Sequence, residues 1–234
     1  MLFMVDIRPL DVVADSPWFT GLPGDALQQL AASATIRPYP RGSQVYSEGQ
    51  VTQEVFCVVT GRLRVAISSS EGHDFAIIDL SHGFWFGEPV LANDAPRVTS
   101  VQAMTAADVL AIPRQVVLEV ADAYPLMYRN LFHDHVAGTR KLYGLLGGML
   151  FYPLRARVAS RLLSFADEFG VADESGTRID IKLTQNDLAR LSLGSRQRVN
   201  KVLRTFTEQG LIETRDDRVV VRDRDGLLAE VEPG

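Results

Sequence analysis

The sequence contains very little cysteine and no long apolar run. Cys57 is the only cysteine among 234 residues, which excludes an intramolecular disulfide and an iron–sulfur cluster or metal site built from several cysteines. The longest uncharged apolar-rich segment, 142–154, has 13 residues, too few for a membrane span of about 20. Asp6 interrupts the apolar N-terminus, so we expect no signal peptide. These absences predict a cytoplasmic protein that does not enter a membrane.

Catalytic and metal-binding patterns are also scarce. No nucleophile–base pair, metal cluster or phosphate-cradling glycine loop has a useful spacing, so we do not expect an enzyme. His133 and His135 flank Asp134, but histidines two apart on a helix face different sides, which favours a solvated helix surface over a metal site. His73 and His82 lie in polar turns and could bind haem or sense pH, but no residue supplies a second ligand.

The charge distribution shows more than the net charge does. The composition, with 46% hydrophobic and 23% charged residues, excludes disordered and fibrous classes. A net charge of −5 argues against nucleic-acid binding until the charges are located. Residues 1–151 carry ten cations against 15 acids, whereas 182–204 carries six cations against one acid. An acidic average therefore hides a basic segment, which is either a solvated helix face or a nucleic-acid interface.

Residues 36–113 show a pattern of short strands separated by turns. Apolar strands are predicted at 54–59, 74–80 and 109–112. Leu63, Val65 and Ile67 alternate with more polar neighbours, which predicts a strand with one buried face. A second alternation runs over 98–103. Many short strands at this spacing are typical of an antiparallel sandwich or roll.

From residue 113 onward the pattern changes to helices. Pro113 can start a short helix, and Pro125 can start a longer one that reaches about residue 151. The longer helix has an apolar stripe with i+3 and i+4 steps, formed by Leu131, Leu142, Leu145, Leu146, Met149 and Leu150. The same stretch contains four glycines, each of which costs a helix roughly 1 kcal/mol relative to alanine. Because small residues let a partner helix approach closely, we predict a symmetric homodimer; the alternative is packing on its own domain.

Residues 184–215 have the pattern of a helix-turn-helix. Thr184 and Asp187 have the spacing of an N-cap residue and its capping-box partner. Residues 192–194 form a short turn with glycine, and Ser195 can cap a second helix. Two strands joined by two aspartates follow, at 211–215 and 218–222. This arrangement predicts a winged helix-turn-helix.

The second helix of this motif has two distinct sides. One side is apolar and is expected to dock into a core; it carries Val199, Val202, Leu203 and Phe206. The other side carries Arg196, Gln197, Asn200, Lys201 and Arg204. Arginine and lysine suit guanine edges and phosphates, whereas glutamine and asparagine suit adenine.

Recognition helices read bases mainly with their N-terminal residues. We therefore assign Arg196, Gln197 and Asn200 to base edges of double-stranded DNA. Lys201 can contact either bases or phosphates, and Arg198 and Arg204 are assigned to phosphates. The alternative is a ligand-binding or scaffolding module whose winged helix contacts protein instead of DNA.

Short motifs along the chain occur in a characteristic order: Gly42, Glu48-Gly49, Gly61, Phe86-Gly87-Glu88, Arg97 and Ser195-Arg196-Gln197. In these motifs the chain resembles, over roughly 15–225, the Crp/Fnr family of bacterial transcription regulators. The resemblance implies an α+β architecture: an antiparallel, jelly-roll-like β-roll of the cyclic-nucleotide-binding type (1–122), a long dimerisation helix (123–152) and a winged helix-turn-helix (153–234). It also implies a two-fold symmetric operator and contact with RNA polymerase.

The resemblance also implies an effector site near Phe86. The segment that follows begins a short helix, whose N-terminus is suited to an anion. In cyclic-nucleotide-binding members, the glycine matching Gly87 offers its N–H and the glutamate matching Glu88 holds the ribose hydroxyl. The arginine matching Arg97 pairs with the cyclic phosphate. These positions are intact in this sequence.

Other positions depart from the pattern of cyclic-AMP responders. Val98 stands where such members usually have serine or threonine, and Thr99 is offset by one residue, which in a strand turns its side chain to the other face. Leu142 and Tyr143 stand where small hydroxyl residues cover the purine. Each lost hydrogen bond to a charged group costs about 1.5–3 kcal/mol. Three alternatives stay open: cyclic AMP, another small effector, or an empty roll in which Glu88 and Arg97 form an ion pair.

Overall fold

The structure, a computed structural model, describes residues 7–68 and 74–231. The predicted turn at 69–73, with His73, lies outside the described residues. The chain divides into two compact units, Met1–Arg140 and Lys141–Gly234. The first contains α1 (Pro9–Ala14), α2 (Gly24–Ala32), β1 (Thr35–Tyr39), β2 (Gln44–Tyr46), β3 (Glu54–Thr60), β4 (Leu63–Ser68), β5 (Asp74–Leu80), β6 (Trp85–Phe86), a 3₁₀ helix (Glu88–Leu91), β7 (Ser100–Ala103), β8 (Ala107–Pro113), α3 (Arg114–Ala123) and most of α4 (Leu126–Phe151).

Two antiparallel four-stranded sheets form a roll in the first unit. The strand orders are β1-β8-β3-β6 and β2-β7-β4-β5. In β3, Val55, Cys57 and Val59 belong to a core shared with the helices. Phe56 and Val58 belong to a second core, shared with the other sheet. The central strand β3 is therefore buried on both faces, which explains its continuous apolar sequence. The predicted antiparallel β-roll is confirmed.

The prediction that β4 has one buried face is wrong. Ile67 is 40% exposed, whereas Arg64, on the opposite side of the strand, is 4% exposed. Arg64 lies opposite Asp79 in the register of β4 and β5, and its Nε donates to Asp79 Oδ1 at 2.6 Å. Arg62 donates to the other carboxylate oxygen at 2.7 Å. A buried carboxylate such as that of Asp79 needs charged partners. Both arginines are therefore held on the side of the strand that simple alternation predicts to face solvent.

The strand predicted to begin at Val98 begins instead at Ser100. The Gly49 N–H donates to the Arg97 carbonyl, and the Arg97 N–H donates to the Gln50 carbonyl, both at 2.8 Å. These bonds tie Arg97 to a loop, and the next two residues form a bend. The period-two argument for the direction of the Thr99 side chain therefore does not apply.

Most exposed apolar side chains of α4 form a single stripe. Its members are Tyr128, Phe132, Leu142, Tyr143, Leu146 and Leu150. With 100° between successive residues, these six fall within a sector of about 100°, whereas Phe151, which is also exposed, lies outside it. Leu131, which the sequence pattern placed in the stripe, packs instead against the core of the first unit. The side chain of Met149 is not among those that the structure describes. The predicted long helix is confirmed, and its exposed stripe shares Leu142, Leu146 and Leu150 with the predicted one.

The second unit is a winged helix-turn-helix. It contains α5 (Leu154–Phe169), β9 (Gly170–Asp173), β10 (Gly176–Ile179), α6 (Gln185–Leu191), α7 (Arg196–Glu208), β11 (Ile212–Arg215), β12 (Arg218–Val221) and α8 (Arg224–Val231). Its antiparallel sheet has the order β11-β12-β10-β9, and α5 contacts each of the other helices in the unit. Within 7–68 and 74–231, no helix is long and apolar enough to cross a membrane.

Candidate nucleic-acid interface and effector site

The first helix of the helix-turn-helix, α6, begins with the predicted capping box. The Asp187 N–H donates to Thr184 Oγ1 at 3.1 Å, and the Thr184 N–H donates to Asp187 Oδ2 at 3.0 Å. Two N–H groups that a helix start leaves unpaired are thereby satisfied. Leu188 and Leu191 are buried, so the cap fixes the start of a docked helix.

The turn between α6 and α7 is held by arginines of α5. Arg157 Nε donates to the Ser192 carbonyl at 2.8 Å, and its Nη2 donates to the Leu193 carbonyl at 3.3 Å. Arg161 Nε donates to the Leu191 carbonyl at 2.8 Å. These carbonyls lie where a helix ends and lacks internal partners. Neither arginine was predicted from sequence, because their partners lie some 30 residues away along the chain.

The docked side of α7 is the one that the sequence predicted. Ser195 caps the helix, its Oγ accepting from the Arg198 N–H at 3.3 Å. Val199 and Phe206 are completely buried, and Val202 and Leu203 are partly buried. With this side inside the unit, the opposite side of α7 faces outward.

The six residues predicted to contact DNA all lie on α7: Arg196, Gln197, Arg198, Asn200, Lys201 and Arg204. Asn200 is half-buried and the other five are exposed. From the helical repeat, five of them span a sector of about 140°, and Arg198 lies beyond the edge of that sector. This position matches its separate assignment to phosphate. The individual contacts stay predictions.

The cations of α7 differ from the other cations of the second unit in their pairing. Most of the others are in ion pairs: Arg155 with Glu230, Arg178 with Asp180, Lys182 with Asp217, Arg215 with Glu213, Arg218 with Asp180, Arg222 with Glu213 and Arg224 with Asp167. Among the described residues, Arg198, Lys201 and Arg204 have no acidic partner, and Arg196 contacts only the Gln185 amide oxygen, at 3.5 Å. The exposed side of α7 therefore carries uncompensated positive charge.

The wing, formed by β11 and β12, has an acidic tip. Asp216 and Asp217 join the strands with φ of 50° and 59°, the left-handed conformation of a tight hairpin turn. Lys182 donates to Asp217 at 2.7 Å, and this bond lowers the pKa of the Asp217 carboxyl. The cations Lys182, Arg215 and Arg218 lie beside these two aspartates. The predicted hairpin is present, and unlike the exposed side of α7 it carries no excess of positive charge.

In the candidate effector site, Arg97 is buried and its donors are occupied. Its Nε donates to Thr52 Oγ1 at 2.9 Å, and its Nη1 donates to the Gly87 carbonyl at 2.9 Å. Its Nη2 donates to the Glu54 carbonyl at 3.0 Å. Gly87 has a φ of 93°, and a Cβ there would lie 3.2 Å from the guanidinium. Glycine is therefore required for this arginine position.

The Arg97 guanidinium also lies on an aromatic cluster. Its Cζ is 4.6 Å from the centroid of the Tyr46 ring, and Tyr46 packs near Phe56 and Phe86. Burial raises the pKa of the Tyr46 phenol, while the Arg97 charge and a hydrogen bond with Thr99 oppose that shift. Burial lowers the pKa of Arg97. Thr99 thus faces the same aromatic ring as Arg97, contrary to the expectation from strand alternation.

Among the described residues Glu88 forms no ion pair with Arg97, so the pairing expected for an empty roll is absent. Its carboxylate lies 3.6 Å from the Nδ1 of His135 on α4. Asp134, beside it, accepts a hydrogen bond from Trp18 Nε1 at 2.9 Å. His133 and His135 are both exposed on α4, as predicted for a solvated helix surface, and His135 in addition contacts Glu88. The described residues contain no group of three or more side chains suited to a metal ion.

Within the first unit, the structure brings together three of the predicted effector residues. Gly87 and Arg97 are in contact, and Phe86 lies close by through Tyr46. Val98 is 76% exposed and points to solvent. Leu142 and Tyr143 are exposed on α4 and belong to the second unit.

Two family models match this chain. A model of the cyclic nucleotide-binding domain matches residues 36–124, and a model of the Crp-like helix-turn-helix domain matches residues 156–230. The first covers the β-roll from β1 through α3. The second covers α5 through α8 and includes α7.

Curated relatives and solved structures match over nearly the whole chain. The cyclic AMP receptor protein of Thermus thermophilus is 27% identical over 216 residues, which is 92% of this chain and 96% of the relative. A CRP-like cAMP-activated global transcriptional regulator of Mycobacterium tuberculosis is 24% identical, over 93% and 97%. In fold, the chain resembles a CooA mutant from Carboxydothermus hydrogenoformans (TM-score 0.76, 20% identity, 97% of both chains). It also resembles FixK2 from Bradyrhizobium japonicum (TM-score 0.75, 19% identity, 85% and 98%).

Proposed function

Since this chain belongs to the Crp/Fnr family of DNA-binding transcription regulators, we propose that it binds a palindromic operator as a homodimer through the exposed side of α7. The observation that carries the proposal is the pairing of charges. Most cations elsewhere in the second unit have carboxylate partners, whereas Arg198, Lys201 and Arg204 have none among the described residues. Unpaired cations beside amide side chains suit a DNA groove.

The roles of the side chains follow from their positions along α7. Arg196, Gln197 and Asn200 lie in the first turns and read base edges, because the N-terminal part of a recognition helix enters the major groove. Arg198 and Arg204 contact phosphates, and Lys201 contacts either. Each half-site is therefore read by one helix.

The homodimer rests on the apolar stripe of α4. Leu142, Leu146 and Leu150 are all at least two-fifths exposed, and burying such side chains gains about 1.5–3 kcal/mol each. A Cβ added to Gly144 or Gly147 would meet nothing within 4 Å. No neighbour within the chain therefore requires glycine at these two positions. The close approach of a partner helix does require it. Two copies related by two-fold symmetry place their recognition helices about 34 Å apart.

The β-roll contains a cyclic nucleotide-binding domain, and its effector is a small anion that takes over the bonds of Arg97. In this structure the guanidinium is held by Gly87, Glu54 and Thr52. An anionic group gains a charge-assisted contact only by replacing these acceptors. Cyclic AMP is the first ligand to test, because the Thermus relative is named a cyclic AMP receptor protein. Contact with RNA polymerase stays a prediction from the family.

The test is selection of binding sites from a random DNA library by the full-length chain. The selection is run without effector and with cyclic AMP, cyclic GMP and cyclic di-GMP. We expect enriched sites with two inverted half-sites whose centres are one helical turn apart. If no palindrome is enriched under any condition, the operator proposal is wrong. The alternative in which the winged helix contacts protein would then be preferred.

A further inference from the structure

One guanidinium joins the end of α4 to the turn of the helix-turn-helix. Tyr152 is the first residue after α4, and Arg157 lies in the first turns of α5. Arg157 Nη1 donates to the Tyr152 carbonyl at 2.7 Å. Its Nε and Nη2 donate to the carbonyls of Ser192 and Leu193. A single planar group therefore contacts both the linker and the turn that precedes the recognition helix.

A second contact joins the same two segments. Leu154, the first residue of α5, is buried and lies against Gly194 of the turn. A Cβ added to Gly194 would lie 2.7 Å from Leu154 Cδ1 and 3.1 Å from Val199 Cγ2. Such distances leave no room for a larger residue unless the neighbours move. The linker and the turn are thus packed together as well as hydrogen-bonded.

The chemistry of the contact favours arginine. Three carbonyl oxygens in different directions require a rigid fork of donors, which a lysine ammonium on a flexible stem does not reproduce. The carbonyls at the C-terminal end of α6 also carry partial negative charge. Burial and the nearby charge of Arg198 both lower the pKa of Arg157. Arg157 has no acidic partner among the described residues, so these carbonyls are what holds it.

We propose that Arg157 is a positioning residue, which fixes the turn at 192–194, and with it the N-terminus of α7, relative to the end of α4. The inference rests on the proposed reading of DNA by α7. Base recognition requires the side chains of α7 to be placed to within about 0.5 Å, whereas electrostatic attraction to phosphates tolerates small shifts of the helix. Loss of the fork therefore reduces selectivity between DNA sequences and leaves the electrostatic part of binding unchanged.

The test compares Arg157→Lys with the wild type in the full-length chain. Dissociation constants are measured at several salt concentrations for a duplex selected by the wild type and for a scrambled duplex. We expect Arg157→Lys to lose about tenfold in affinity for the selected duplex and less than about twofold for the scrambled one. The slope of log Kd against log salt stays unchanged, because the same phosphates are neutralised in both proteins.

The matched control is Arg224→Lys. Arg224 lies in the same unit, but its guanidinium pairs with Asp167 of α5 at 2.9 Å rather than with the turn. This variant is expected to keep the selectivity of the wild type. A second variant, Gly194→Ala, disturbs the same junction through packing. We expect it to reduce selectivity in the same way.

Three results would overturn the proposal. The first is selectivity of Arg157→Lys equal to that of the wild type. The second is an equal loss on both duplexes with a shallower salt slope, which would make Arg157 a phosphate contact. The third result is unchanged hydrogen exchange of the 192–195 amides in free Arg157→Lys protein. This measurement does not depend on DNA binding. If the wild type selects no duplex, the operator proposal fails, and the exchange experiment alone still decides the role of Arg157.

Discussion

At the scale of single residues, arginine has four different roles in this chain, and its surroundings decide which. Arg64 is buried against Asp79, and Arg97 is buried against carbonyls and an aromatic ring. Arg157 caps a turn, whereas Arg198 is exposed and lacks an acidic partner among the described residues. The side chain is the same in each case, but the partners come from distant parts of the chain. Of Arg157 and Arg198, only Arg198 was given a role from sequence spacing, because its role depends on the periodicity of its own helix.

Arg196 is expected to determine one base pair of each half-site. Replacing it with alanine should cost about 1–3 kcal/mol on the selected operator and relax the preference at one position. The measurement is competition binding against operators substituted at each position in turn. A uniform loss at all positions would contradict the assignment to a base edge.

Arg204, near the middle of α7, is expected to behave differently. Arg204→Ala should weaken binding to all sequences to a similar degree, since a phosphate contact carries no base information. It should also reduce the salt slope, by about 0.9 for each phosphate that is no longer neutralised. Anisotropy titrations at four salt concentrations measure this. A change in base preference with an unchanged slope would reverse the roles of Arg196 and Arg204.

Arg97 is expected to stabilise the roll whether or not an effector is present. Arg97→Met removes the guanidinium donors from the carbonyls of Gly87 and Glu54, although the Gly87 carbonyl keeps the Val90 N–H at 3.3 Å. Each lost hydrogen bond costs about 0.5–1.5 kcal/mol. Urea unfolding at neutral pH measures the change. Arg37→Met is the control, because Arg37 is half-exposed in its ion pair with Glu54 and such pairs contribute about 0–1 kcal/mol. Equal losses in the two variants would contradict the structural role of Arg97.

Cys57 is expected to make stability depend on alkaline pH. Burial raises the pKa of its thiol from 9.0 to about 12, so the native state keeps a proton that the unfolded chain loses. The stabilisation is complete below pH 9 and is lost between pH 9 and 12, by about 1.4 kcal/mol for each unit. Urea unfolding at pH 8–10.5 should show a steeper decline for wild type than for Cys57→Val. Parallel declines would contradict this.

At the scale of elements, the α4 stripe is expected to hold the dimer. Leu146→Glu places a charge in the middle of the stripe and should yield a monomer, since burying an unpaired charge costs several kcal/mol. Lys141→Glu changes an exposed residue about 140° away on the same helix and should leave the dimer intact. Sedimentation equilibrium distinguishes these outcomes. A dimeric Leu146→Glu variant would place the interface elsewhere.

The elements differ in how far their own sequence determines them. The starts of α3, α5 and α6 follow from Pro113, Pro153 and the Thr184 cap, which act within one turn of the chain, and were predictable. The burial of β4 was not, because it depends on Asp79, contributed by a neighbouring strand. The start of β7 was likewise set by a distant loop. Local sequence signals therefore predict where a helix or strand begins, whereas the residues that pack on it determine which of its sides is buried.

At the scale of the whole molecule, DNA affinity should depend on salt in proportion to the number of subunits bound. If Arg198, Lys201 and Arg204 each neutralise a phosphate in both subunits, the slope of log K against log salt is about −5. The monomer produced by Leu146→Glu should show about half that slope. Titrations of both proteins on one operator measure it. Equal slopes would mean that the wild type binds as a monomer.

The two sites of the molecule were predictable to different degrees. The face of α7 follows from helical periodicity, so all six predicted residues lie on the element where they were expected. The effector site is assembled from loops and strands between Tyr46 and Arg97, and no periodicity brings them together. Tyr46 and Thr52, which hold the Arg97 side chain, were therefore not identified from sequence.

The hairpin beside α7 has a consequence for promoter organisation. Because the carboxylates of Asp216 and Asp217 offset the cations beside them, the hairpin adds little attraction for the DNA backbone, and affinity comes mainly from α7. Neighbouring factors can then occupy sequence beside each half-site without displacing a strong phosphate contact. Operators of this regulator would accordingly tolerate close overlap with other control sites.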